Sequence, residues 1–69
     1  MTKEAVKETL QAQPFKPFHL RLTDGTLVSV PHEDFVLISQ GGRTAYVNTE
    51  GETVKIIDLA LVTAIELNS

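Results

Sequence analysis

Cysteine and tryptophan are absent from this 69-residue chain. The lack of cysteine excludes disulfides and thiolate metal sites, which are two usual means of stabilising a very small domain. A chain of this length, residues 1–69, is expected to form a single domain that buries only about 60% of its unfolded surface. Its own core is therefore expected to make the fold only marginally stable. Self-association is the remaining means of stabilising the domain.

Basic residues are few and scattered along the chain. Six lysines and arginines stand against nine aspartates and glutamates, which gives a net charge of −3. A protein that binds the phosphate backbone of nucleic acids normally carries a clustered basic patch. The charge pattern therefore disfavours a nucleic-acid partner.

Long apolar runs are also missing. No segment approaches the roughly 20 apolar residues of a membrane span. The first residues, MTKEAVKETL, are too charged for a signal peptide. Together with the lack of cysteine, these features favour a cytoplasmic protein without a membrane partner.

The N-terminal segment predicts one short helix over residues 2–13. Thr2 is a suitable N-cap, and Pro14 is expected to end the helix because the residue before a proline is pushed out of helical geometry. The apolar stripe of this helix is narrow and consists mainly of Val6 and Leu10. A helix this short is marginal alone, so it is expected to dock on the rest of the domain.

A Pro-Phe connector follows at residues 14–17. Pro14 and Pro17 restrict the backbone to extended geometry, while Phe15 and Phe18 are expected to turn inward as anchors. The segment therefore predicts a packed linker between the helix and the strands.

The next segment, residues 18–30, predicts a β-hairpin with Asp24-Gly25 at its turn. A two-residue loop would mix apolar and polar side chains on one face, whereas a three-residue loop with Gly25 in a left-handed bulge separates them. The bulged register is therefore expected. Its inward face carries Phe18, Leu20, Leu22, Val28 and Val30, and its outward face carries His19, Arg21, Leu27 and Ser29.

Short strands and turns alternate through the rest of the chain. Further strands are predicted over 36–39, 43–48, 53–58 and 62–67. Turns are predicted at 31–35, 49–52 and 59–61, the last of them capped by Asp58. Short strands at intervals of about 8 to 12 residues are typical of a small β domain.

This layout resembles that of small SH3-like barrels, in which a strand, a one-turn helical break and a last short strand end the chain. A helix ahead of the strands is also similar to the Sm-like version of that barrel. The expected fold class is mainly β. It is a small antiparallel SH3-like barrel or a strongly twisted meander of about five to six short strands, over 18–67, preceded by one N-terminal α-helix.

The sequence itself resembles a group of short, uncharacterised bacterial proteins. The resemblance rests on the pattern Pro14-Phe15-x-Pro17-Phe18, Asp24-Gly25, Pro31-His32-x-x-Phe35 and Ile57-Asp58, followed by Val62 and Ile65. It covers residues 14–67 and implies a common fold without an established activity.

The densest polar cluster is His32-Glu33-Asp34. An imidazole beside carboxylates can bind a metal or transfer protons, and an enzyme would use His32 and Asp34. Metal sites need three or four converging ligands, however, and adjacent residues seldom provide them. A solvated turn is therefore the favoured interpretation, and neither a metal nor another cofactor is expected.

A second candidate is a small binding face formed by His19, Arg21 and Leu27. Residues two apart on a strand point to the same face, so His19 and Arg21 lie together, and Leu27 joins them across the hairpin. This face could bind a partner's carboxylates or a nucleic-acid base. The alternative is an ordinary polar sheet face.

The chain also carries an excess of large apolar side chains, to which Leu27 and Leu37 belong. The predicted helix is too narrow to cover Ile57, Leu59 and Leu61 together, so these three are predicted to contact another copy or a partner protein. We therefore expect a non-enzymatic binding or assembly module that acts through protein–protein contacts. The alternatives are an Sm-like nucleic-acid-binding or regulatory protein, and then a small enzyme.

Overall fold

The computed structural model describes residues 1–49 and 51–67. It is mainly β, with 42% strand and 21% helix, the latter including two 3₁₀ helices. One α-helix comes first in the chain, and the six strands that follow form two antiparallel sheets. In chain order the elements are α1 (Lys3–Leu10), β1 (Phe18–Leu22), β2 (Leu27–Val30), β3 (Val36–Ile38), β4 (Thr44–Asn48), β5 (Val54–Asp58) and β6 (Val62–Leu67). The predicted fold class, a mainly β domain of about five to six short antiparallel strands preceded by one helix, is confirmed.

Each sheet has three strands, in the orders β2-β1-β6 and β3-β4-β5. Two 3₁₀ helices connect the sheets: Glu33–Phe35 leads the chain from the first sheet to the second, and Leu59–Leu61 leads it back. The predicted single turns at 31–35 and 59–61 are therefore correct. The turn predicted over 49–52 includes Glu50, which lies outside the described residues.

The N-terminal helix is shorter than the predicted span of 2–13. Thr2 is the N-cap, as expected, and its hydroxyl accepts a hydrogen bond from the Ala5 amide at 3.3 Å. The helix ends at Leu10 rather than at Gln13, the residue before Pro14. Leu10 is its last buried side chain, and the residues after it are exposed. A helix this short is stable only where it packs against the rest of the domain, and residues 11–13 are exposed. The prediction of its C-terminal end was therefore wrong.

The Pro-Phe connector anchors the chain as predicted. Phe18 is fully buried, and Phe15 is half-buried and packs against the same core. The two rings are tilted, with their centroids 6.1 Å apart. The peptide bond between Gln13 and Pro14 is cis.

The hairpin has the predicted bulged register. Phe18 pairs with Val30 and Leu20 with Val28, and the Leu22 amide donates to the Thr26 carbonyl at 2.9 Å. These pairings place the alternate apolar side chains on the inward face, as the sequence predicts.

The turn itself depends on Asp24 and Gly25. Gly25 has a φ of +88°, and its amide donates to the Leu22 carbonyl at 2.9 Å. Hydrogen bonds from the Thr26 side chain and from the Thr26 amide lower the pKa of Asp24, and the amide donates to the Asp24 carboxylate at 2.9 Å. The predicted turn chemistry is confirmed.

Substitution of Gly25 by valine is expected to destabilise the domain by about 1–3 kcal/mol, because a β-branched residue fits positive φ badly. Nothing lies within 4 Å of a Cβ added at this position, so backbone strain alone determines the effect. Urea unfolding measures it, with Gly41→Val as the matched control in an equally open position. Equal midpoints for the two variants would contradict the bulged turn.

The core lies between the two sheets and is closed by the helix. Its buried members are Val6, Leu10, Phe18, Leu20, Val28, Val30, Ala45, Val47, Ile57, Leu59 and Val62. Every buried side chain in this set is apolar, and no buried polar side chain without a partner occurs among the described residues.

Two of the residues predicted as oligomer or partner contacts belong to this core. Ile57 is 6% exposed and Leu59 is 2% exposed, whereas Leu61 remains 50% exposed. Ile57 lies opposite the buried Ala45, so the strand alternation turns it inward. Asp58 accepts from the Ala60 amide at 2.9 Å and so caps the 3₁₀ helix that carries Leu59. The prediction that Ile57 and Leu59 require cover from another chain was wrong.

Candidate functional site

The cluster His32-Glu33-Asp34 lies on the first 3₁₀ helix and its N-terminal flank. All three side chains are exposed, and the His32 ring packs edge-on against Phe35 with the centroids 5.1 Å apart. The His32 side chain makes no capping hydrogen bond. Within residues 1–49 and 51–67, no three histidine or carboxylate side chains are grouped so that they could hold a metal ion. The three side chains are therefore exposed to solvent on one short helical turn.

The face predicted from His19, Arg21 and Leu27 lies on the outside of the first sheet. Arg21 lies directly opposite Leu27, and His19 is opposite Ser29, so the predicted side chains do share one face. On the other side of β1, Glu66 of β6 lies opposite His19. The sequence prediction missed Glu66 because the pairing of the last strand with the first is a long-range contact without a local signal.

Glu66 changes the electrostatics of this face. The Arg21 Nε donates to one carboxylate oxygen of Glu66, and its second guanidinium nitrogen donates to the other at 3.3 Å. The hydrogen bond from Arg21 lowers the pKa of Glu66 and raises that of Arg21. The positive charge that the sequence assigns to this face is thus largely neutralised within the chain.

Acidification is expected to remove the contribution of this ion pair. The pKa of Glu66 in the folded protein lies below the ordinary value of 4.5. The ion pair therefore stabilises the fold above about pH 4.5, and this stabilisation is lost as the pH falls through the lowered pKa of Glu66. We expect the melting temperature of the wild type to fall more steeply than that of Glu66→Gln between about pH 6 and pH 3. The difference should be small, because both side chains remain accessible to water. Parallel pH profiles would contradict the pairing.

The outer face of the second sheet carries three large exposed side chains that lie next to one another. Leu37 of β3 is opposite Tyr46 of β4, which is opposite Ile56 of β5. Their exposed fractions are 68%, 39% and 69%. We call these three residues the outer row. Val54, also exposed, extends it along β5.

Charge is depleted on this face of the sheet. The side chains that share the face by alternation are Leu37, Thr44, Tyr46, Asn48, Val54, Ile56 and Asp58. Asp58 is the one ionisable carboxylate among them, and it lies at a corner, where it caps the 3₁₀ helix. Aromatic and aliphatic side chains surrounded by uncharged ones are typical of the centre of a protein interface.

A surface groove runs between the end of the helix and the last strand. Its volume is about 460 Å³, and it is lined by Glu8, Thr9, Ala12, Gln13, Pro14, Lys16 and Leu67. The ionisable side chains of this lining are Glu8 and Lys16.

These observations define a small, mainly β domain with two three-stranded antiparallel sheets and one apolar outer face. No protein-family model, curated protein or solved structure matches the chain. None of the helices in the described ranges has the length and hydropathy of a membrane span.

Proposed function

We propose that this protein is a non-enzymatic binding or assembly module that acts through protein–protein contacts, with the outer row as its contact surface. The observation that carries the proposal is the alignment of Leu37, Tyr46 and Ile56 across three neighbouring strands. Scattered apolar side chains are normal on protein surfaces, whereas contiguous ones mark interaction sites.

The free energy available from such a contact is appreciable. Complete burial of a leucine or isoleucine side chain contributes roughly 1.5–3 kcal/mol. Leu37 and Ile56 each retain about two thirds of their accessible surface, so most of that contribution is still available to a partner. The strands already order the backbone of these residues, so little backbone entropy is lost when a partner binds.

Two other functions receive less support. An Sm-like nucleic-acid binder needs clustered cations, but Arg21 is paired with Glu66 and the net charge is −3. An enzyme would need His32 and Asp34 in an enclosed site, and both are exposed on a turn. A cytoplasmic location and a kinship with the short bacterial proteins remain predictions.

Photo-cross-linking in the native host tests the proposed surface. A photoreactive phenylalanine analogue is placed at Leu37, and the control carries it at Ser29, an exposed strand position on the outer face of the first sheet. We expect a discrete protein adduct from position 37 that disappears when Tyr46→Lys is added. An adduct from position 29 alone, or one that survives Tyr46→Lys, would overturn the proposal.

The nucleic-acid alternative has its own test. Labelled single-stranded RNA is expected to bind more weakly than about micromolar at physiological salt, because the chain has so few clustered cations. Tight, salt-sensitive binding that is lost in Arg21→Glu would replace the proposed function with the Sm-like alternative.

A further inference from the structure

Strand β5 forms an edge of the second sheet and is the most exposed strand of the domain. Four of its five residues are exposed, namely Val54, Lys55, Ile56 and Asp58. It has neither a proline nor a bulge in its pairing with β4. The strand carries two charged side chains, Lys55 and Asp58, but its regular backbone edge is a template for the addition of another strand.

The register of β5 shows which backbone groups face outward. The Thr49 amide donates to the Thr53 carbonyl and the Leu59 amide to the Arg43 carbonyl, both at 2.8 Å. In an antiparallel pair, hydrogen-bonded and non-hydrogen-bonded residue pairs alternate. Residues 53, 55, 57 and 59 therefore bond to β4. The backbone groups of 54, 56 and 58 point to the free edge.

We propose that a second copy of this chain pairs along β5, antiparallel and about a two-fold axis at Ile56. This inference goes beyond the proposed function, because the pairing uses the edge of β5 and leaves Leu37 and Tyr46 of the outer row uncovered. Ile56 would exchange two hydrogen bonds with Ile56 of the other copy, and Val54 would pair with Asp58 in both directions. The three pairs form about six hydrogen bonds between the copies.

Other two-fold registers are less favourable. An axis at Lys55 places two ammonium groups directly opposite one another, which is destabilising. An axis at Ile57 moves Val54 opposite Ala60, which lies in a 3₁₀ helix rather than in a strand. Only the axis at Ile56 keeps every outward-facing residue of β5 opposite another strand residue.

A second copy also fits this edge better than an extended peptide. Its β5 strand is already ordered, whereas an unstructured peptide loses about 1–2 kcal/mol of backbone entropy per residue on binding. The pairing joins the two outer rows into one apolar stripe across six strands. Because the contact is isologous, it closes after two copies and leads to no filament.

The contact is small, so the dimer should be weak. One five-residue strand pair lies at the low end of interface sizes, and the association should depend on concentration. Sedimentation velocity from about 10 µM to about 1 mM is the appropriate measurement. We expect the sedimentation coefficient of the wild type to rise across this range from the monomer value to that of a dimer.

Ile56→Lys separates edge pairing from other forms of association. It places like charges at the two-fold axis and should weaken the dimer at least tenfold. Leu37→Lys is the matched control, since Leu37 is equally exposed on the same face but lies on β3, away from the pairing edge. It should leave the dimer unchanged.

A synthetic chain with an N-methylated Ile56 amide tests the backbone contact separately. It keeps the isoleucine side chain but removes the amide hydrogen that would bond to the other copy at the two-fold axis, so it should also stay monomeric.

Substitutions at Val54 test the register. Val54→Lys places an ammonium opposite Asp58 of the other copy and should tighten the dimer about two- to five-fold, whereas Val54→Asp should weaken it. Both variants remove the same apolar side chain, so a difference between them reports the charge opposite position 54. Equal affinities would contradict the axis at Ile56.

The outcomes distinguish this inference from the proposed function. If Leu37→Lys and Ile56→Lys abolish association equally, the copies stack face to face, and the edge pairing is overturned while the outer row remains a contact surface. If the wild type stays monomeric at about 1 mM, the dimer is overturned, and cross-linking from position 37 decides the proposed function separately.

Discussion

Replacement of Phe18 by alanine is expected to leave most of the chain unfolded at physiological temperature. Phe18 is fully buried on the central strand of the first sheet, where it pairs with Val30 on one side and Leu67 on the other. Truncation of a buried phenylalanine typically costs about 3–5 kcal/mol. A single core in a chain of this size supplies about the same amount, so little stability would remain.

Thermal unfolding followed by far-ultraviolet circular dichroism measures this effect. Leu37→Ala is the control, because it removes an exposed apolar side chain and should change stability by less than about 0.5 kcal/mol. A Phe18→Ala protein that melts within a few degrees of the wild type would show that the core does not depend on this anchor.

The neighbouring isoleucines of β5 are expected to respond very differently to truncation. Ile57→Ala removes a side chain packed in the core and should destabilise the domain by about 2–5 kcal/mol. Ile56→Ala removes an exposed side chain and should change the stability of the monomer by less than about 0.5 kcal/mol. The two variants differ only in which face of one strand loses an isoleucine.

Urea midpoints for this pair should be measured at low micromolar concentration, where a weak dimer does not contribute. Equal destabilisation by the two variants, or a larger effect of Ile56→Ala, would mean that the alternation of β5 is reversed. The outer row would then lose its third member, and the proposed contact surface would have to be abandoned.

The sequence predicted those parts of the fold that are encoded locally. Asp24-Gly25 determines the hairpin because its turn chemistry and the alternation of the flanking strands agree on one register. Asp58 determines the last 3₁₀ helix in the same way, by capping a free amide within two residues. Local signals of this kind do not depend on knowing which distant strand lies beside them.

The features that the sequence did not predict depend on long-range packing. The end of the helix is set by where Leu10 meets the sheets, and Pro14 lies too far along the chain to mark it. Likewise, the adjacent isoleucines of β5 cannot be assigned to a face until the pairing of Ala45 with Ile57 is known. Ile57 was therefore wrongly predicted to be exposed in the monomer, and Leu59, whose burial also depends on long-range packing, was wrongly predicted with it.

The candidate site was predicted in part. Leu37 was correctly included in the apolar excess, and it is among the most exposed large side chains of the described residues. Neither Tyr46 nor Ile56 was predicted as a contact residue, because their alignment with Leu37 appears only when the three strands are paired. An interface that lies across strands has no signature in any one segment.

An NMR dilution series on isotope-labelled protein tests whether a second copy pairs along β5 beside the outer row. Between about 1 mM and about 20 µM, we expect the amide shifts of Val54, Ile56 and Asp58 to change most. These three amides should also be better protected from hydrogen exchange in the concentrated sample. Spectra that do not depend on concentration, or shift changes confined to β2 or β6, would contradict the account.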